Sequence, residues 1–270
     1  MKPLIVPTNF SASSVNAAKY AASMALAMET DLYLIHVLQL PASNAEVPLT
    51  EEIFEGMQQS GEQELENLKL ELQKQTKGGV NIFTLLEMGS VENQVVEFCK
   101  RKAPFAVVMG IKKGSAERFL FGSNALFAIS HLQYPLFVIP EGTSFQSLRK
   151  IVLAYDLSSW NKNIPVSYLK ELQQIFHADF DVLNINTKKI EDLQSNQEFL
   201  FIKDMLYDLR PTYHFKFANT VEEGINKFLG ENNADLLLLL PKHHSIFEFH
   251  KSLTKKMAMN AGLPVMTIHE

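Results

Sequence analysis

Leu4-Ile5-Val6-Pro7-Thr8-Asn9-Phe10-Ser11 opens the chain, and a second stretch of the same kind begins at Ile151-Val152-Leu153 and continues to Asp156-Leu157-Ser158. Each is a short apolar run followed by a polar turn and a serine. After the first, Ala17, Ala18, Ala21, Met24, Ala25 and Met28 recur at helical spacing, so the opening reads as strand, turn, helix. Working outward, Leu32 to Val37 reads as a second strand. Leu65, Leu68 and Leu72 share one face of the next helix, and a third strand is expected from Val80 to Leu86. Val91, Val95 and Phe98 mark another helix, Ala106 to Met109 a fourth strand, Leu126 and Ile129 a last helix, and Leu136 to Ile139 a fifth strand. This half therefore alternates five strands with four helices.

The turn-prone Glu141-Gly142-Thr143-Ser144 precedes the second start, which puts a domain boundary near residue 145 and divides the chain into domains 1–145 and 146–270. Later landmarks repeat in the same order. Ala178-Asp179 matches Thr30-Asp31, Thr220-Val221-Glu222 matches Ser90-Val91-Glu92, and Leu263-Pro264-Val265 matches Tyr134-Pro135-Leu136. The offset between the copies shortens along the chain, mostly between the second and third strands, where Asn44 to Ser60 reads as a surface insertion in the first copy. Strands alternating with helices pair in parallel through right-handed crossovers. The expected fold is α/β, two tandem Rossmann-like doubly wound domains, each a five-stranded parallel sheet flanked by helices. Ligands bind such sheets at the carboxyl ends of the strands. That directs attention to Pro7-Thr8-Asn9 and to the segment from Gly110 to Asn124.

The 270 residues are 46% hydrophobic and 20% charged, with a net charge of -5, as in a globular protein with no global positive field to draw it to nucleic acid or an anionic membrane. Cys99 is the sole cysteine. An internal disulfide is thereby excluded, and a reducing compartment fits. The N-terminus lacks a long apolar core, and the aliphatic run from Leu236 to Leu240 is far too short to span a bilayer. The expectation is a cytoplasmic chain, neither exported nor membrane-spanning.

The first of these motifs, with Ser14, Asn16-Ala17 and Tyr20-Ala21 at their spacing, resembles the opening of the universal stress protein family. So do Ile35-His36-Val37, Val107-Val108-Met109-Gly110, Gly122-Ser123 and Tyr134-Pro135-Leu136-Phe137-Val138, and the second half repeats the pattern in weaker form. In ATP-binding members an acidic residue after strand one and a valine after strand two hold adenosine, and a G-x2-G-x9-G-S loop wraps the phosphates. The resemblance thus implies an adenine-nucleotide site built from Pro7, Thr8, Asn9, Val37, Gly110, Gly114, Gly122, Ser123 and Asn124. Two residues depart from that pattern. Asn9 stands for the usual Asp, keeping an acceptor oxygen but losing the charge and adding a donor. The loop glycines fall at Gly110, Gly114 and Gly122, with the middle one displaced and the loop one residue shorter. Glycines serve such a loop by letting backbone N–H groups approach an anion at positive φ, and a helix N-terminus adds positive potential. Lys112, Lys113 and Arg118 are the cations available to it; the competing reading makes Gly110 and Gly114 simple turn residues and Ser123 an N-cap.

The second half keeps an acid at Asp156, but its strand-four loop from Pro241 to Ser252 has no glycine. Lys242, Lys251 and Ser252, with Asp156, make up its anion or ligand site. His243, His244 and His250 with Lys255 and Lys256 read as a metal cluster, an anion or partner surface, or a solvated polar face. Their spacing favours the last, because no cysteine or H-x3-H pair accompanies them. Cys99 is expected in the core, His36 as a packed, hydrogen-bonded histidine, and Trp160 in packing before the helix that follows Pro165.

No nucleophile elbow, Walker loop, H-E-x-x-H or dinucleotide fingerprint occurs. Three functional readings stand. The first is a non-catalytic regulatory module with an adenine nucleotide such as ATP in its N-terminal domain. The second is a ligand-free scaffold in which the domains pack as a pseudo-dimer through their final strands and the C-terminal His/Lys surface meets a protein partner. The third is a slow ATP hydrolase. A homodimer of the tandem chain is compatible with each.

Overall fold

The structure, a computed structural model, describes residues 1–39, 50–112, 123–157, 164–186, 197–241, 256–257 and 260–268. It divides into two compact units, Met1–Gln146 and Ser147–Glu270. In the first, β1 (Leu4–Pro7), α1 (Ala12–Met28), β2 (Leu32–Leu38), α2 (Glu51–Gln75), β3 (Ile82–Met88), α3 (Val91–Lys102), β4 (Ala106–Ile111), α4 (Ser123–His131) and β5 (Leu136–Pro140) follow in order. The strands lie in the order β3-β2-β1-β4-β5, every pair parallel. The second unit holds β6 (Lys150–Ala154), α5 (Val166–Phe176), β7 (Asp179–Asn186), α6 (Gln197–Met205), β8 (Thr212–Phe217), α7 (Val221–Asn232), β9 (Leu236–Leu239) and β10 (Val265–Thr267). Its order is β8-β7-β6-β9-β10, again parallel throughout. The α/β reading from the sequence is thus what the chain adopts, with the same strand order in each unit.

Burial explains why β1 and β5 carry no alternation of apolar and polar residues. All four residues of β1 and all five of β5 are buried, because helices cover both faces of a parallel sheet. Each fully buried Leu, Ile or Val side chain contributes roughly 1.5–3 kcal/mol. Edge strands β3 and β8 are only partly covered, and Phe83 and Phe217 remain exposed. Among the described residues four helices begin with a side-chain cap: Ser11, Thr50, Ser90 and Thr220 accept from the backbone N–H groups of Ser14, Ile53, Asn93 and Glu223. The matched landmarks Ser90-Val91-Glu92 and Thr220-Val221-Glu222 are therefore two equivalent helix starts.

One local reading is corrected. The third strand spans Ile82–Met88 rather than Val80 to Leu86; Val80 is buried in the bend that follows α2, so its apolarity marks packing and not pairing. Of the segment read as a surface insertion, residues 51–60 form the first turns of α2 and lie largely on the surface.

Helix α1 sits unusually close to the sheet. Ala17, Ala18, Ala21, Ala22 and Ala25 are all fully buried in it, and small side chains permit a short helix-to-sheet distance. The approach is tightest at Gly110, where a Cβ would lie 2.0 Å from the Ser13 carbonyl oxygen and 3.0 Å from the Ser14 nitrogen. These are backbone atoms and cannot swing away. Gly110→Ala is expected to cost at least about 1–3 kcal/mol, read as a lowered midpoint of urea unfolding. An unchanged midpoint would show that α1 has slack.

Cys99 is fully buried on α3, as the helical pattern implies, and burial pushes its thiol up to about 12. Native protein in mildly alkaline buffer should therefore resist an aromatic disulfide reagent, while urea-unfolded chain reacts with one equivalent. Rapid reaction of the folded chain would contradict the placement.

Candidate functional site

At β4 the sheet changes the side to which its chain departs. Gly110 faces α1, whereas Met109 lines the opposite side with Phe127, Ala128 and Leu132 of α4 and its C-terminal end. Neighbouring strands β1 and β4 thus send their following helices to opposite faces. The crevice above their carboxyl ends is where open α/β sheets take ligands.

The first wall is the turn from Pro7 to Ser11. Pro7 ends β1 and is buried; Thr8 is buried behind it, while Asn9 is exposed. The Thr8 hydroxyl lies 3.1 Å from Ser14 Oγ and accepts from the Phe10 N–H at 3.1 Å. Asn9 Oδ1 accepts from the Ser11 hydroxyl at 2.7 Å and the Ser11 N–H at 3.3 Å. The acceptor that the Asp-to-Asn departure retains is thus used to shape the turn. Phe10 has φ 60°, a left-handed conformation uncommon for a bulky residue. Its ring rests on His36, with centroids 4.6 Å apart.

His36 locks this turn to β2. Its Nδ1 is 2.8 Å from the Thr8 carbonyl oxygen, and because a carbonyl only accepts, Nδ1 carries the hydrogen. The second unit repeats the arrangement. Strand register places Ala154 opposite Leu183 as it places Pro7 opposite Ile35, so Tyr155 corresponds to Thr8 and Asn184 to His36. Asn184 Nδ2 donates to the Tyr155 carbonyl at 2.9 Å. A histidine and an asparagine thus perform the same task.

The sequence-derived site residues fall into three groups. Thr8, Asn9 and Gly110 are brought together around the first turn of α1, through Ser13 and Ser14. Val37, two residues past the register partner of Pro7, is buried on the face of β2 opposite His36. Gly110 is not the turn residue of the competing reading: it belongs to β4, is not among the glycines with positive φ, and lacks a side chain because α1 occupies that space. Ser123 and Asn124 begin α4. Gly114, Gly122, Lys113 and Arg118 lie outside the described residues, as do Lys242, Lys251, Ser252, Lys255, His243, His244, His250 and Trp160. Asp156 is partly buried after β6, at the position that register equates with Asn9, and Lys256 lies 3.8 Å from Glu222. Among the described residues no cluster of His, Cys, Asp and Glu would hold a metal, and no helix is long and apolar enough to cross a membrane.

Sequence reasoning missed an open groove of about 450 Å³ between the end of β2 and the first half of α2, with Phe10, His36, Leu38 and Met57 among its walls. The available signal was a pair of glycines, Gly56 and Gly61, inside an otherwise strong helical pattern.

The profile of the universal stress protein family matches residues 1–140. The chain belongs to that family. A universal stress protein of Methanocaldococcus jannaschii is 31% identical over 145 residues, which cover 51% of this chain and 81% of the relative. Among solved structures, a universal stress protein of Archaeoglobus fulgidus superposes with a TM-score of 0.77 at 13% identity, covering 99% of this chain and 98% of its own. A Pseudomonas aeruginosa protein gives a TM-score of 0.61 at 8% identity over 100% and 93% of the two chains. The sequence similarity is thus concentrated in the first half, and the likeness of fold extends over the whole chain.

The lock at Thr8 can be tested through its natural replacement. His36→Asn retains a donor for the carbonyl and should leave thermal stability nearly unchanged, whereas His36→Ala strands a carbonyl and should cost about 1–3 kcal/mol. Equal unfolding midpoints for the two variants would contradict the assignment.

Proposed function

We propose that this universal stress protein is a non-catalytic regulatory module whose N-terminal domain holds an adenine nucleotide in the crevice between β1 and β4. The observation that supports the reading is the divergence of the chain at that point. Asn9 stands exposed at the tip of the first turn, and Ser123 begins α4 on the far side of the β4 connection. Adenosine contacts fall to Asn9 and Val37, with the backbone around Pro7 and Thr8 as rim. The N-terminus of α4, with Gly122, Ser123 and Asn124, receives the phosphates, where unpaired N–H groups and the helix dipole favour negative charge.

Asn9 alters the character of this site compared with the acidic residue usual in the family. A carboxylate only accepts; an amide also donates. The ligand therefore loses a charged acceptor for its ribose hydroxyls, and weaker retention than in acidic members follows. In the second domain, Lys242, Lys251 and Ser252 would take an anionic group through side chains, since that loop has no glycines, while Asp156 would accept from hydroxyls of the same ligand.

The reading as a binding module rests on the use to which the polar groups near β1 are put. Thr8, Asn9, Ser11 and Ser14 bond to one another, and His36 donates to a backbone carbonyl. Among the described residues this leaves no base paired with a nucleophile at the crevice.

Calorimetric titration of the full chain with ATP, ADP and AMP, together with native mass spectrometry of untreated protein, tests the proposal. One nucleotide per chain is expected, weakened about fivefold or more by Ser123→Ala, with no Mg²⁺-dependent hydrolysis above background. Absence of any adenine ligand, or turnover abolished by Ser123→Ala, would refute it.

A further inference from the structure

We propose that the groove between α2 and the carboxyl end of β2 is a second ligand site, for a small organic cation with an aromatic body. It is independent of the nucleotide reading. At about 450 Å³ the groove has the size of a small-molecule site. Its apolar surface comes from Phe10, Leu38, Ile53 and Met57, and its polar groups include His36 and Glu64.

Shape supplies the first argument. Glycine is disfavoured within helices, yet α2 carries two. Gly61 has a packing reason, because a Cβ there would lie 3.0 Å from Leu86 Cδ1 and 3.3 Å from His36 Cδ2. Gly56 has none among the described residues: none of their atoms lies within 4 Å of where its Cβ would be, and it lines the groove. A side chain at position 56 would stand in that space, so the glycine keeps this wall of the groove low.

Charge supplies the second. The first sixteen residues of α2, from Glu51 to Glu66, contain six glutamates and no lysine or arginine. Glu62 is hydrogen-bonded by Gln58 and Glu66 pairs with Lys69, whereas Glu64, on the groove rim, has no ionic partner among the described residues. His36 adds a fixed acceptor. With the hydrogen on Nδ1 committed to the Thr8 carbonyl, Nε2 of the neutral ring offers a lone pair, and it has no protein partner among the described residues. A groove offering a carboxylate and an imidazole acceptor selects a hydrogen-bond-donating cation and repels phosphate.

The rings decide the body of the ligand. Phe10 and His36 form an aromatic pair at one wall, and the left-handed backbone of Phe10 is what turns that ring toward β2. A flat apolar ring stacks there while its ammonium group reaches Glu64.

Tryptamine is the probe, titrated calorimetrically into the full chain, with indole-3-propionate as the anion of the same ring. Saturable binding of one tryptamine per chain is expected, at least tenfold tighter than indole-3-propionate. Gly56→Leu, a helix-favouring change into open space, should weaken tryptamine at least tenfold while the thermal midpoint holds or rises. Glu64→Gln should weaken it about fivefold or more, and His36→Asn, which keeps the Thr8 bond, should weaken it too. No saturable tryptamine binding, equal binding of the anion, or indifference to Gly56→Leu would overturn the proposal. ATP titrated into Gly56→Leu separates the two sites: unchanged ATP binding supports a separate groove, and joint loss of both ligands would overturn it.

Discussion

The close approach of α1 to the sheet is the constraint on which the first domain depends. Five buried alanines and Gly110 let the helix lie against β1 and β4 with no side chain between its first turn and the strand backbone. That distance sets the position of Ser11, Ser13 and Ser14, and they in turn hold Thr8 and Asn9. The geometry of the crevice is therefore inherited from helix packing. A glycine that looks like part of a phosphate loop is in the first instance a packing residue, and any ligand uses a wall already built.

The second device is the donor that each domain sends from its second strand to the carbonyl after its first. His36 and Asn184 are unlike in size and shape but alike in offering an N–H at the same place. Satisfying a buried carbonyl at the carboxyl end of the central strand is a requirement of the fold. The free side of the donor is not so constrained, and there the domains are at liberty to differ: His36 leaves an acceptor nitrogen at an acidic groove.

Much of the architecture was legible in the residues. Apolar runs at Leu4, Leu32, Ala106 and Leu136 and small residues at helical spacing in α1 produce the alternation of strand and helix, because buried parallel strands and amphipathic helices leave strong periodic marks. Cys99 and His36 were placed correctly for the same reason: each sits within a strong pattern. The third strand was set two residues early because a buried Val80 in a turn carries the same apolar signal as a strand residue. The role of Gly110 was hidden, since nothing in a linear sequence says whose backbone approaches a glycine. The groove was hidden as well. Its walls come from a turn, a strand end and a helix that are distant in the chain, and Gly56 taken alone reads only as a weak point in a helix.

Two separate places in one domain carry the proposals: a crevice at the carboxyl ends of β1 and β4 for a nucleotide, and an acidic groove against α2 for a cation. The amide spectrum of the isotopically labelled full chain, followed as ATP is added, tests this most directly. The prediction is that Asn9, Phe10, Ser11 and Gly110 shift in a saturable way while Gly56 and Gly61 stay in place. Shifts confined to the glycines of α2, or none at all, would contradict it.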